Sequence, residues 1–168
     1  MAELHEVLAG VRSGALPTAE RASNPFRLGS AVSDPAEEME VRLAWPAVTL
    51  PYDVVALWKE CRAARLFEDL DYGQWGLILL DPGASARRTA KERHDRPSEF
   101  LPGDVVIGEF LGDLDLLVVA PSEAGVHRVL VALPLDGRSD WYGVGADLAT
   151  FLGRFVTVGG EKFWERRP

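Results

Sequence analysis

The sequence predicts a single α+β domain in which a largely antiparallel sheet is flanked by helices. Three observations lead there. With 168 residues, 47% of them hydrophobic, the chain has the length of one ordinary domain and the apolar content for a real core. Helix-spaced apolar stripes gather in its first part and again near its end. Between them lie short apolar runs separated by Gly, Pro and Asp, the pattern of consecutive antiparallel strands rather than of alternating strands and helices. The chain divides accordingly into an N-terminal helix with an irregular extension over 1–34, the α+β domain over 35–158, and a C-terminal tail over 159–168.

Leu4, Val7, Leu8 and Val11 recur at helical spacing, so an amphipathic helix opens the chain. From Ser13 to Asp34 the sequence is rich in Gly, Ser, Pro and Asn without a sustained period, which reads as an irregular connection or an extension laid over the main body. The domain proper starts near Pro35. Asp34 supplies a capping carboxylate, Pro35 suits a first turn, and Glu37 and Glu38 favour the positive end of a helix dipole, in a helix expected to end by Trp45-Pro46. A second helix follows, with Pro51 in its first turn, Asp53 near its N-terminal end, and Val54, Leu57, Trp58 and Cys61 on one buried stripe. Lys59, Glu60, Arg62 and Arg65 fall off that stripe and face water.

Leu66 to Leu70 and Trp75 to Leu80 form two short strands joined through Asp71, Tyr72 and Gly73, and Asp81-Pro82-Gly83 is expected to close the second as a turn. The central hairpin has a definite expected register. If Gly112-Asp113 is a two-residue turn, Leu111 faces Leu114, Glu109 faces Leu116 and Ile107 faces Val118. One sheet face then carries Ile107, Leu111, Leu114, Leu116 and Val118, and the other Val106, Phe110, Leu117 and Val119 with Gly108 and Asp115. Both faces are largely apolar, so helices or the N-terminal extension must cover each. His127 to Leu133 is a further strand, Asp136-Gly137 another turn, and Trp141 to Val144 a last short strand. Asp147 then caps a closing helix with Leu148, Phe151, Leu152, Phe155 and Val156 on one stripe.

Chemistry-bearing patterns fall away one by one. His5, His94 and His127 are scattered singly and Cys61 is the lone cysteine, which is no donor set for zinc, and Cys61 reads as a buried core thiol. No serine sits in a Gly-x-Ser-x-Gly elbow. Gly143-Val144-Gly145-Ala146-Asp147-Leu148 has a leucine at the third glycine position of a dinucleotide loop and no room for a following strand, so it reads as a structural turn. Glu109, alone on an apolar strand face, needs an edge or a partner within the sheet. The sequence thus offers no catalytic, cofactor-binding or metal-binding residues.

Charge narrows the partners. The net charge of −8 argues against nucleic acid and anionic membranes and favours a basic protein partner. Arg87, Arg88, Lys91, Arg93 and Arg96 crowd one segment against only Glu92 and Asp95, the usual composition of a solvated helix face. Glu68, Asp69 and Asp71 cluster at one strand connection, and Asp113 and Asp115 at the hairpin tip. No stretch approaches the roughly 20 apolar residues of a membrane span, and Glu3, His5 and Glu6 replace the basic and apolar start of a secretory leader, so a cytoplasmic location is expected.

Several of these segments, in this order, resemble the SUKH superfamily, which includes fungal cell-wall-synthesis regulators and bacterial toxin-immunity proteins. The matching features are Leu50-Pro51-Tyr52 at a helix start, Gln74-Trp75-Gly76 with Leu77 to Leu80, and Val105-Val106-Ile107-Gly108 running into Gly112-Asp113. Trp141 followed by Asp147-Leu148 and Phe151-Leu152 completes the match. The resemblance spans roughly Pro35 to Val156 and rests on turn and core residues. It implies a mixed sheet flanked by helices that acts by binding, without catalysis. In bacteria it implies an immunity protein that occupies a toxin domain, often a nuclease, and blocks its site. An acidic inhibitor suits a basic nuclease cleft, and on that charge complementarity Glu68, Asp69, Asp71, Asp113 and Asp115 are expected to contribute to the contact surface. A regulatory or scaffold module that binds a housekeeping protein is the other reading.

Overall fold

A computed structural model describes residues 3–14, 25–121 and 127–166. Among these, seven strands form one sheet in strict chain order, and every neighbouring pair is antiparallel. Five α-helices flank it, so the predicted α+β class holds, with an antiparallel rather than a mixed sheet.

Helix α1 (Leu4–Ser13) buries Leu4, Val7, Leu8 and Val11, and its first turn is closed by reciprocal bonds between Glu3 and Glu6. Strand β1 (Leu28–Val32) corrects the expectation of irregular chain from Ser13 to Asp34; residues 15–24 of that stretch lie outside the described residues. The strand reads Leu-Gly-Ser-Ala-Val, too small and too polar to show an apolar alternation. Its serines complete the pairing with β2 instead: Ser30 Oγ accepts from Phe67 N–H at 2.9 Å, beside a register shift, and the following Ser33 Oγ accepts from Ala63 N–H at 2.9 Å.

Helix α2 (Glu38–Ala44) has Glu37 at its N-cap position, three residues after the expected cap Asp34. The reason is backbone pairing. Asp34 C=O accepts from Arg62 N–H at 2.7 Å and Ala36 N–H donates to Trp58 C=O at 2.9 Å, which holds 34–36 extended against the end of the next helix. That helix, α3 (Tyr52–Glu60), has Pro51 as its N-cap rather than in its first turn, and it buries Val54, Leu57 and Trp58, with Cys61 just beyond.

Strands β2 (Ala64–Asp69) and β3 (Leu77–Leu79) form the expected hairpin. Asp81-Pro82-Gly83 is no turn; it starts α4 (Pro82–Asp95), with the Asp81 carboxylate accepting from Ala84 N–H at 2.8 Å. The inward face of α4 is polar, which hid it from a search for apolar periods. Ser85 and Thr89 are buried where β3 runs out beside β4 (Val105–Phe110), and they replace the missing strand: Ser85 Oγ donates to Val106 C=O at 2.5 Å, and Thr89 Oγ1 accepts from Val106 N–H at 2.9 Å.

The β4–β5 hairpin departs from the expected register. Glu109 does face Leu116 of β5 (Leu116–Pro121), but Val118 faces Val106, because a bulge at Ile107 inserts one residue into β4. Ile107 and Val118 therefore lie on opposite faces, each in a different apolar cluster. The turn is also longer than two residues: Phe110 N–H donates to Asp115 C=O at 2.8 Å, and Leu114 leaves the sheet face, 69% exposed with φ +67°. Glu109 finds its partner in Arg88 of α4 at 3.2 Å.

Strand β6 (His127–Ala132), a short 3₁₀ turn over Arg138–Asp140, β7 (Tyr142–Gly145) and α5 (Leu148–Thr157) complete the chain. Two aspartates fasten the start of α5: Asp147 accepts from Thr150 N–H at 2.7 Å and Asp53 of α3 from Leu148 N–H at 2.9 Å. Gly145 belongs to this turn, where a side chain would crowd Phe151. One sheet face meets α1, α3 and α5 around Trp58, Phe151 and Phe155; the other is covered by Ala84 of α4, Phe100, Leu133 and Trp141. On that second side Asp104 is fully buried and accepts two bonds from the Arg138 guanidinium, at 2.5 and 3.1 Å. The basic run is thus partly internal. Arg93 donates to Pro102 and Asp104 carbonyls, and Arg96 to those of Leu133 and Asp136.

A candidate partner-binding end of the sheet

Antiparallel pairing in chain order sends the end of β2, the start of β3, the end of β4 and the start of β5 to one end of the sheet. All five acidic residues singled out in the sequence lie at that end. The two connections that carry them touch. Leu111 N–H donates to Gly76 C=O at 2.9 Å, and Gly112, at φ +96°, lies so close to the Gln74 carbonyl that a Cβ would collide with it.

The five residues have two different jobs. Asp69 is buried, and its carboxylate accepts from the N–H groups of Asp71, Tyr72 and Gln74 at 3.0, 3.2 and 3.1 Å, so it builds the β2–β3 connection. Burial alone would raise its pKa; the three N–H donors and nearby Arg27 outweigh that and hold it below the ordinary aspartate value. Asp115 is buried too, and there burial prevails, raising its pKa despite Lys162. Neither offers its carboxylate to a partner protein. Glu68, Asp71 and Asp113 reach the surface, paired with Arg65, Arg27 and Lys162.

Sequence reasoning missed the contribution of the C-terminal segment. Trp75 Nε1 donates to Gly160 C=O at 3.2 Å, Phe163 is buried, and Lys162, 7% exposed, lays its ammonium over the Trp75 and Phe110 rings at 5.9 and 5.6 Å. Its Nζ bonds Asp113 and lies 3.4 Å from Asp115 and 3.7 Å from Glu165. Carboxylate oxygens of Asp113, Asp115 and Glu165 fall within 4.8 Å of one another, and the ammonium is their shared counter-ion. A buried carboxyl with a raised pKa beside a second carboxylate is an arrangement acid–base chemistry uses. Here the protein's own lysine bridges the pair. The signal for this docking was the apolar Phe163-Trp164 pair, unusual in a solvated tail.

The same end exposes three large apolar side chains, Leu70 at 50%, Tyr72 at 76% and Leu114 at 69%. Leu114 is also one of the non-glycine residues held at positive φ, a strained backbone that persists only where its surroundings dictate it. This end of the sheet thus exposes aliphatic and tyrosine side chains together with Glu68, Asp71 and Asp113, on connections held by partly buried hydrogen bonds. Cys61 stands apart from it. It is buried in the core, and burial pushes its thiol up to about 11.

No family model matches the chain, and no curated protein matches it. Among the described residues no helix is long and apolar enough to cross a membrane.

Proposed function

We propose that this chain is a non-catalytic protein-binding domain whose acidic sheet end occupies a basic partner. Following the resemblance to the SUKH superfamily, we propose further that the partner is a toxin domain, a nuclease among the candidates, neutralised by occlusion. One observation carries the reading: Leu70, Tyr72 and Leu114 stand exposed together with Glu68, Asp71 and Asp113 on preorganised connections. Exposed tyrosine and leucine supply the desolvated centre that interfaces need, and a charged rim steers encounter. A preorganised surface also avoids the entropy cost of ordering loops on binding.

The test starts with capture of the tagged protein's partner from its native cells, followed by association kinetics. A near-stoichiometric partner with a basic domain that is lethal when expressed alone supports immunity, whereas a housekeeping complex supports the scaffold reading. With the partner in hand, Glu68→Lys with Asp71→Lys is expected to slow association about tenfold at low salt, and Tyr72→Ala to speed dissociation. Unchanged kinetics in both variants would remove this end of the sheet from the interface.

A further inference from the structure

A second surface, independent of the sheet end, lies between α2 and α3. The two helices and the chain joining them enclose a groove of about 420 Å³, walled mainly by Val41, Trp45, Leu50, Val55 and Trp58. That volume falls in the range of roughly 300–1,000 Å³ typical of small-molecule sites. Its polar complement is one-sided. Glu38 and Arg42 at the rim neutralise each other across one helical turn. Lys59, also on the rim, is exposed and has no carboxylate partner among the described residues, although the protein as a whole carries −8. The indole Nε1 of Trp45 is buried without an acceptor, whereas that of Trp58 donates to Leu80 C=O at 3.0 Å. Unsatisfied buried donors are rare and call for a reason.

From apolar walls, a spare cation and a spare N–H donor, we infer that the groove binds a small amphipathic carboxylate, with its hydrocarbon body along the indoles and its anionic head at Lys59. Such a ligand supplies what the site lacks: apolar contact for the walls and negative charge for the ammonium. A neutral or cationic ligand leaves Lys59 unmatched.

The full chain, labelled with ¹⁵N, is titrated with octanoate and, separately, with octanol, while the tryptophan indole N–H signals are followed. Octanoate is expected to shift the Trp45 signal saturably and to bind more tightly than octanol, with the Trp164 indole, which also lacks an acceptor, as an unmoved internal control. Lys59→Ala, on an exposed position, is expected to lower octanoate affinity about fivefold and to leave octanol unaffected. The inference is overturned if the Trp45 signal does not move, if other indoles move in its place, or if octanoate binds the Lys59→Ala protein as tightly as the parent.

Discussion

Asp69 concentrates the argument at the scale of single residues. A carboxylate that could advertise itself to a partner is instead turned inward, where it holds three successive N–H groups of the β2–β3 connection. Asp69→Ala is expected to lower the melting temperature by several degrees and to loosen the loop that presents Tyr72, seen as faster amide exchange of Asp71, Tyr72 and Gln74. The two buried aspartates also respond to acid in opposite directions. With its pKa held down, Asp69 contributes stability above the ordinary aspartate value that is lost as pH falls through its folded value. Asp115, pushed up by burial, contributes stability below the ordinary value that is lost as pH rises through its folded one. Asp115→Asn is therefore expected to flatten the decline in unfolding free energy above about pH 4, measured by urea titration at a series of pH values. A further check concerns Cys61. With its thiol raised to about 11 and buried, it is expected to resist a disulfide reagent in the native protein at neutral pH and to react at once in denaturant.

At the scale of elements, α4 explains both a structural device and a failure of sequence reading. Its buried residues include Ser85, Thr89 and Glu92, none of which registers as an apolar stripe, yet two of them finish the hydrogen bonding of β4. Thr89→Val keeps the shape and removes the acceptor for Val106 N–H; it is expected to cost about 1–3 kcal/mol in urea unfolding. Helices α1, α3 and α5 were legible because their stripes are apolar: Leu4 to Val11 in α1, Val54, Leu57 and Trp58 in α3 and Leu148 to Val156 in α5 announce themselves by spacing, whereas α2, which buries none of its residues, was legible from its start signals. Strand β1 was not, since Gly29, Ser30 and Ala31 carry no alternation and it earns its place through serine hydroxyls. The hairpin register failed for a different reason. Nothing in Val105-Val106-Ile107-Gly108 distinguishes a bulged strand from a regular one, because the choice is made by where the neighbouring strand ends. For the candidate site, the acidic positions were legible and their separation into internal and external roles was not, as that depends for Asp69 on the exact turn of the β2–β3 connection and for Asp115 on Lys162 arriving from the C-terminal segment.

For the molecule as a whole, the two faces of the sheet are secured differently. The larger cluster is closed by aromatic side chains of α5 and the C-terminal segment, with Phe151, Phe155, Phe163 and Trp164 in mutual contact. The smaller is closed by ions: Asp104 is fully buried on Arg138, whose guanidinium also stacks on Trp141. Arg138→Met strands that carboxylate, and a loss of about 3–5 kcal/mol is expected in chemical denaturation, against much less for the exposed pair Arg42–Glu38. The strict chain order of the seven strands has a consequence for how the molecule is made. Each strand pairs with the strand that precedes it in the chain, across α2 and α3 between β1 and β2 and across α4 between β3 and β4, so the sheet can grow in the order of synthesis. Helix α1 packs on β1 and α3 first and completes its contacts only with α5, whose start Asp53 of α3 also holds. A nascent chain stalled before Leu148 would therefore hold a paired sheet whose larger apolar face is covered only by α1 and α3 and open where α5 belongs, a substrate for chaperones.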